Sequence, residues 1–150
     1  MPVEVQVNDE AGASGHGAFR EVNASALVER AARAVLDDAG AEAGELSITL
    51  LTDAAMAEMN RQWKGRDGPT DVLSFPLHEA GEPLIGDVYL GVDRAVAQAE
   101  EVGEPPGREL ARLAVHGTLH ALGWDHPEDG RERSEMWKHQ ERIVDGLGIG

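Results

Sequence analysis

The spacing of apolar residues along the chain predicts both strands and helices. The segment from Val3 to Val7 alternates apolar and polar residues, which is the period-two pattern of a half-buried strand. Other short apolar runs bounded by turn residues predict further strands, and apolar residues that recur every three or four positions predict helices. The predicted strands span residues 3–7, 46–51, 72–75 and 84–92, and the predicted helices span residues 23–39, 53–60, 93–102, 108–122 and 131–147.

Capping and turn residues set the ends of these elements. Asn23 or Ser25 can cap the first helix and Asp53 the second, while Gly40 and Gly123 are predicted helix stops. Segments rich in glycine and proline predict a loop over residues 64–69 and a break over residues 103–107. No linker divides the chain. Four strands and about five helices in mixed order predict one domain over residues 1–150, an α+β or α/β fold with one sheet covered by helices.

The composition narrows the class of protein. A chain of 150 residues that is 41% hydrophobic is long enough and apolar enough to bury a core. No run approaches the roughly 18 apolar residues of a membrane span, and the acidic N-terminal segment is unlike a signal peptide, so a cytoplasmic protein without a membrane partner is expected. The absence of cysteine excludes disulfides, thiolate metal sites and cysteine nucleophiles.

The net charge of −15 argues against a nucleic-acid partner, because binding to phosphate needs a positive surface. The acids are not evenly spread, however. Residues 61–78 contain three basic residues, Arg61, Lys64 and Arg66, and two acidic ones. Taken alone, such a short basic group is most often a solvated loop. The charge therefore opposes indiscriminate RNA binding but leaves one segment on which RNA could bind.

Three histidines carry the strongest chemical signal in the chain. His116 and His120 are four residues apart on a predicted helix, so both imidazoles leave the same face, and His126 follows a glycine stop. This is the ligand spacing of the metzincin signature, on a zincin-like helix. Three neutral imidazoles with an open fourth position predict a catalytic zinc site. The remaining histidines are scattered and receive no role: His16, His78 and His139.

Gly117 separates this pattern from the metzincin proteases. In those enzymes a glutamate follows the first histidine and acts as general base, whereas Gly117 has no side chain. A metalloprotease is therefore an alternative, but this chain lacks the general base at the expected position. A further alternative is a non-catalytic protein stabilised by the metal, which would need a fourth protein ligand.

The segment from His116 to His126 resembles the signature of the YbeY family, bacterial metal-dependent endoribonucleases that act in ribosomal RNA maturation. Two more motifs resemble that family in order and spacing: Met59 to Pro76, which includes the run PTDVLSFP, and Ile85 to Val88. The acidic segment with Glu128 and Asp129 also fits. The resemblance covers about residues 45–146.

This resemblance implies a single α+β domain with a mixed sheet, one zinc ion held by His116, His120 and His126, and hydrolysis of single-stranded RNA in small-subunit ribosomal RNA maturation and ribosome quality control. Many family members carry an arginine where this chain has Lys64. Lysine keeps the charge but loses the planar fork that grips phosphate, so either Lys64 or Arg66 is the candidate catalytic cation.

Other parts of the site stay open in the sequence. The general base is not identified: the phosphate itself, the RNA 2′-hydroxyl, Asp87 or Asp125 could take part. Asp125 fits better as a turn residue or one that orients a histidine, whereas a structural role for Asp87 is equally open. Most of the six aromatic residues are expected in the core, which leaves few to stack on RNA bases. The acidic surface could meet basic ribosomal proteins instead of RNA, and the non-catalytic, metal-stabilised alternative is then a ribosome-assembly factor. No DNA partner is expected.

Overall fold

A computed structural model of the chain describes residues 3–13, 16–19, 22–126, 130 and 134–149. Over these residues it has four strands, five α-helices and a short 3-10 helix at Gly17–Phe19. The strands are β1 (Glu4–Asp9), β2 (Gly44–Leu51), β3 (Val72–Pro76) and β4 (Leu84–Gly91), and the helices are α1 (Ala24–Ala39), α2 (Asp53–Lys64), α3 (Val92–Val102), α4 (Pro106–Ala121) and α5 (Glu135–Gly146). Glu128, Asp129 and the predicted helix start at residue 131 lie outside the described residues.

The strands form one mixed sheet in the order β1-β2-β4-β3. β1, β2 and β4 run parallel, and β3 pairs antiparallel with β4 at the edge. The predicted α+β class with a small mixed sheet is therefore confirmed. No helix in the described part of the chain is both long enough and apolar enough to cross a bilayer.

The two faces of the sheet are covered differently. One face carries Val5, Ile48 and Val88, which belong to the main core together with α1, α4 and α5. The opposite face has a smaller apolar cluster, where Met56 of α2 packs with Leu51 and Leu73. This arrangement makes α4 the central helix of the main layer, since it packs on β3 and β4 and is flanked by α1, α3 and α5.

Three predicted helix boundaries were wrong, two in α2 and one in α4. Asp53 is the first residue of α2 rather than its cap, because the Thr52 side chain accepts the hydrogen bond from the amide of Ala55. The helix also runs on to Lys64 and ends at Gly65, whose φ of 64° suits glycine, so the predicted loop begins later. α4 begins at Pro106 rather than residue 108, since proline fits the first helical position, where no amide donor is needed.

Candidate metal centre

Helix α4 positions the first two histidines at the edge of the core. His116 is buried and His120 is half-buried, one turn further along the same face. Between them, Gly117 lies flat against the sheet, and the Ser74 hydroxyl donates to its carbonyl oxygen at 2.8 Å. The close contact with β3 and β4 holds α4, and with it both imidazoles, at a fixed distance from the edge strand.

A turn after α4 brings His126 back to the pair. Gly123 has a φ of 102°, and the Trp124 amide donates to the Leu119 carbonyl at 3.0 Å, which reverses the chain. Asp125 accepts from the His126 amide at 2.8 Å, so it is a turn residue here. The three imidazole centroids are 4.6, 5.1 and 5.2 Å apart, and a ligand nitrogen from each ring lies within 4.8 Å of the others.

For His116 and His120, hydrogen bonds to carbonyl oxygens define which ring nitrogen faces the centre of the histidine cluster. His116 Nδ1 lies 2.5 Å from Gln140 Oε1, and His120 Nδ1 lies 3.0 Å from the Trp124 carbonyl oxygen. A carbonyl oxygen only accepts, so each Nδ1 carries the proton. In the neutral rings the two Nε2 lone pairs are then directed toward each other across 3.1 Å.

This donor set fits a bound cation. Two unprotonated Nε2 atoms cannot hydrogen-bond each other, whereas a metal ion between them accepts both lone pairs. Tetrahedral zinc with nitrogens at about 2.0–2.1 Å places neighbouring ligand atoms about 3.4 Å apart, close to the separation between His116 and His120. His116, His120 and His126 are the residues that would hold the ion, and the described residues add no fourth member to this group.

Lys64 and Arg66 lie in the wall of the same cleft. This cavity, of about 540 Å³, runs between the β3 edge and the histidine cluster. Lys64 is the last residue of α2, with its Nζ 5.2 Å from the Phe75 ring centroid. Arg66 follows the Gly65 turn, and its amide donates to the Asn60 carbonyl. The buried Asn60 side chain in turn donates to Gly68 at 3.0 Å, which braces the loop that carries Arg66.

Asp87 lies away from the histidines. Val88 faces α4, so Asp87 beside it on β4 points to the other face of the sheet. There its carboxylate accepts from the Tyr89 hydroxyl at 2.7 Å. The pKa of Tyr89 is raised to about 12, first by burial and then by the hydrogen bond and charge of Asp87. Asp87 is therefore a structural partner of Tyr89 and not a base in the histidine cleft.

Two contributors to the site were missed by the sequence reasoning. Gln140 comes 24 residues after His116, in a different helix and in no motif, so nothing in the sequence indicated the contact. The sequence also did not show which aromatic residues are exposed; these are Trp63, at 60%, and Trp124, at 38%. Trp124 lines the cleft, and its ring stacks on His139 at 4.8 Å. Trp63 packs edge-on against Phe75 and leaves its outer face open.

The family model described as Endoribonuclease YbeY matches residues 13–148 of the chain. The chain belongs to the YbeY family. A protein named Endoribonuclease YbeY from Persephonella marina is 40% identical over 125 residues, covering 81% of this chain and 82% of that protein. The protein of the same name from Bacillus velezensis is 36% identical over 160 residues, covering 99% of this chain and 98% of that protein.

A protein of known structure has a similar fold. A solution structure of a protein from Thermotoga maritima matches with a TM-score of 0.64 at 25% identity, and covers 95% of this chain and 88% of that chain. The resemblance on three short motifs therefore extends to a YbeY match over nearly the whole chain.

Proposed function

We propose that this protein is a zinc-dependent endoribonuclease that hydrolyses single-stranded RNA. The observation that carries the proposal is the shared cleft, in which three imidazoles, two of them Nδ1-protonated, converge beside Lys64 and Arg66. Membership of a family named for endoribonuclease activity supports the same reaction. The three histidines converge on one point, which suits one ion per chain.

The chain's own residues supply the remaining parts of the reaction. When bound, zinc supplies a Lewis acid that polarises a phosphate oxygen and makes water more acidic. His116, His120 and His126 would hold that charge in the cleft without neutralising it, because all three are neutral ligands. Lys64 and Arg66, which line the same cleft, would stabilise the negative charge that develops on the phosphate during hydrolysis.

Exposed aromatic rings support a single-stranded substrate. Unpaired bases stack on open aromatic faces, whereas bases within a duplex are already stacked. Trp124 lines the cleft, and Trp63, which is 60% exposed, directly precedes the cleft residue Lys64 in the chain. RNA whose phosphate lies at the histidines could therefore place neighbouring bases on either ring.

The biological substrate we propose is ribosomal RNA, notably that of the small subunit, processed in the cytoplasm during maturation and quality control of ribosomes. This part rests on the family resemblance. The acidic surface outside the cleft is suited to contacts with basic ribosomal proteins, which would bring the cleft to its target.

The metal requirement is tested with purified protein, zinc and a single-stranded RNA. Zinc-loaded protein should cut the RNA, and a chelator should stop the cleavage. His120→Ala should lose both bound zinc and cleavage while its circular dichroism spectrum is retained, and His78→Ala, a histidine outside the cleft, should keep both. Full zinc content in His120→Ala would refute the ligand assignment. Cleavage of casein but not RNA would favour a protease.

Single substitutions distinguish the catalytic roles of Lys64 and Arg66. Lys64→Ala is expected to lower RNA cleavage by about 100-fold with zinc retained, as expected for loss of one group that stabilises transition-state charge. Arg61→Ala is the matched control, because Arg61 lies in the same segment but pairs with Glu58 on the surface. Unchanged cleavage in Lys64→Ala with loss in Arg66→Ala assigns the role to Arg66. If both variants cleave RNA as fast as the native protein, the proposed role of Lys64 and Arg66 is contradicted.

A further inference from the structure

A series of polar side chains connects His116 to Arg112, a half-buried arginine on the same helix. Gln140 of α5 is 1% exposed, and its Oε1 lies 2.5 Å from His116 Nδ1. Its amide nitrogen donates to Glu141 Oε2 at 3.0 Å. Glu141 in turn accepts two hydrogen bonds from Arg112, at 2.9 and 3.0 Å. Each side chain of this series is therefore hydrogen-bonded to the next.

The order of these contacts fixes the orientation of the Gln140 amide. An amide has a donor end and an acceptor end, and either can face a neutral imidazole, which itself offers one donor and one acceptor. The Glu141 carboxylate, however, accepts only. It is held by the Arg112 guanidinium, so it draws the amide NH₂ group of Gln140 toward itself. The oxygen of Gln140 is thereby left facing His116.

We propose that Gln140 is a positioning residue that selects the Nδ1-protonated form of His116. With the amide held in this orientation, His116 donates from Nδ1 and presents the Nε2 lone pair to the cleft. The opposite amide orientation would favour a proton on Nε2, which blocks that nitrogen as a metal ligand. His120 gains the same tautomer from a backbone carbonyl, whereas His116 obtains it from a side chain.

The inference rests on the proposed zinc site, but its main test needs no metal. Long-range proton–nitrogen NMR spectra of the metal-free protein report which ring nitrogen carries the proton, at a pH about two units above the ordinary imidazole pKa of about 6.5. His116 of the native chain should be the Nδ1–H tautomer. In Gln140→Met, which keeps the side-chain length and removes the acceptor, His116 should shift to the Nε2–H tautomer or a mixture. His120 serves as the internal reference and should not change.

Two further variants separate the acceptor from the packing. Gln140→Glu keeps an oxygen toward His116 and replaces the amide donor to Glu141 with a second carboxylate. Repulsion from Glu141 also favours the contact with His116, so this variant should retain the Nδ1–H tautomer. Gln98→Leu is the matched control, because Gln98 lines the same cavity behind His116 and donates to Asp71. If Gln140→Met does not fold, Gln140→Leu replaces it. An Nδ1–H tautomer that persists in the Met or Leu variant, or is lost in the Glu variant, overturns the proposal.

Zinc affinity gives an independent readout. Competition with a chromophoric chelator should show about 10–100-fold weaker zinc binding in Gln140→Met, and native affinity in Gln98→Leu. Equal zinc affinity in the native and Gln140→Met proteins overturns the positioning role. Absence of zinc binding in the native chain would refute the proposed function, and the tautomer spectra would still decide the role of Gln140.

Discussion

At Gly117, steric contact with the sheet decides which residue can follow the first histidine. A Cβ atom built there would lie 2.6 Å from Val88 Cγ1 and 3.1 Å from Val72 Cγ2, both on strands beneath α4. The missing base of the protease pattern therefore has a structural cause. A glutamate at this position would enter the packed layer between helix and sheet instead of the cleft.

Gly117→Ala is accordingly expected to destabilise the fold by about 1–3 kcal/mol, the cost of inserting a methyl group into a packed core. The helix propensity gained from alanine, about 1 kcal/mol, offsets part of it. Urea unfolding measures the change. The control is Gly146→Ala at the end of α5, where a Cβ meets no atom within 4 Å and the substitution should be neutral or stabilising. Equal changes in the free energy of unfolding for Gly117→Ala and Gly146→Ala would show that the contact of residue 117 with the sheet does not limit stability.

Tyr89 is the single tyrosine of the chain, so tyrosinate absorbance reports its titration alone. Burial and Asp87 raise its pKa from 10.0 to about 12. Because the raised pKa favours the neutral phenol in the folded state, the stability it contributes is present below pH 10 and is lost as the pH rises toward 12. Asp87→Asn should lower the pKa. A midpoint near 10 in protein that circular dichroism shows to be folded would contradict the prediction.

The histidine site shows what local sequence can predict at this scale. The spacing of His116, His120 and His126 around Gly123 was enough to predict that they meet, because helix geometry and a glycine turn are local rules. The contact of His116 with Gln140 depends on how α5 packs on α4, and packing between distant helices leaves no pattern in the sequence. The roles of Lys64 and Arg66 stay predictions.

Among the elements, two arginines of α4 contact α5: Arg108 pairs with Asp145, and Arg112 pairs with Glu141. Arg112 on α4 contacts Glu104 before the helix at 2.6 Å, Glu109 at 2.7 Å and Glu141 on α5 at 2.9 Å, and its side chain is 12% exposed. Burial alone would lower its pKa, but the three carboxylates outweigh burial and raise it. The same contact lowers the pKa of Glu104. Arg112 thus holds together the helix of the first two histidines and the helix of Gln140.

Arg112→Met should destabilise the protein by about 3–5 kcal/mol, because Glu109 and Glu141 lose their arginine partner and Glu104 keeps only the longer contact with Arg108, at 3.9 Å. The loss should shrink as the pH falls below the ordinary value of 4.5 for Glu104, since the stabilisation from its lowered pKa is present only above that range. Chemical unfolding at several pH values measures this. Arg61→Met is the control, an exposed pair with little effect expected. Equal stability losses in the two variants would contradict the prediction.

Elements were predictable where their ends are set by local chemistry. Asn23 caps α1, and Gly40 ends it with a φ of 67°, as capping rules predict. α2 was predicted too short because the polar residues before Gly65 gave no apolar period to follow. The strand order β1-β2-β4-β3 depends on pairings between distant segments, and no local signal specifies which strands become neighbours.

For the molecule as a whole, charge and shape restrict where RNA can bind. The net charge is −15, and the cleft with Lys64 and Arg66 borders the histidines instead of lying on a broad basic face. The acidic remainder repels RNA at long range. Affinity must therefore come from few phosphate contacts together with stacking on Trp63 and Trp124, a mode of binding that depends little on salt.

Salt dependence of RNA binding tests this arrangement. Each phosphate contact with single-stranded RNA contributes about −0.7 to the slope of log association constant against log salt. Two side chains and one metal contact give a slope no steeper than about −2.1, and screening of the acidic surface makes it shallower. Fluorescence anisotropy with a short single-stranded RNA measures the slope. The Lys64→Ala, Arg66→Ala double variant should flatten it, and Arg61→Ala should leave it unchanged. A slope steeper than about −3 would require a basic surface that the described residues do not provide.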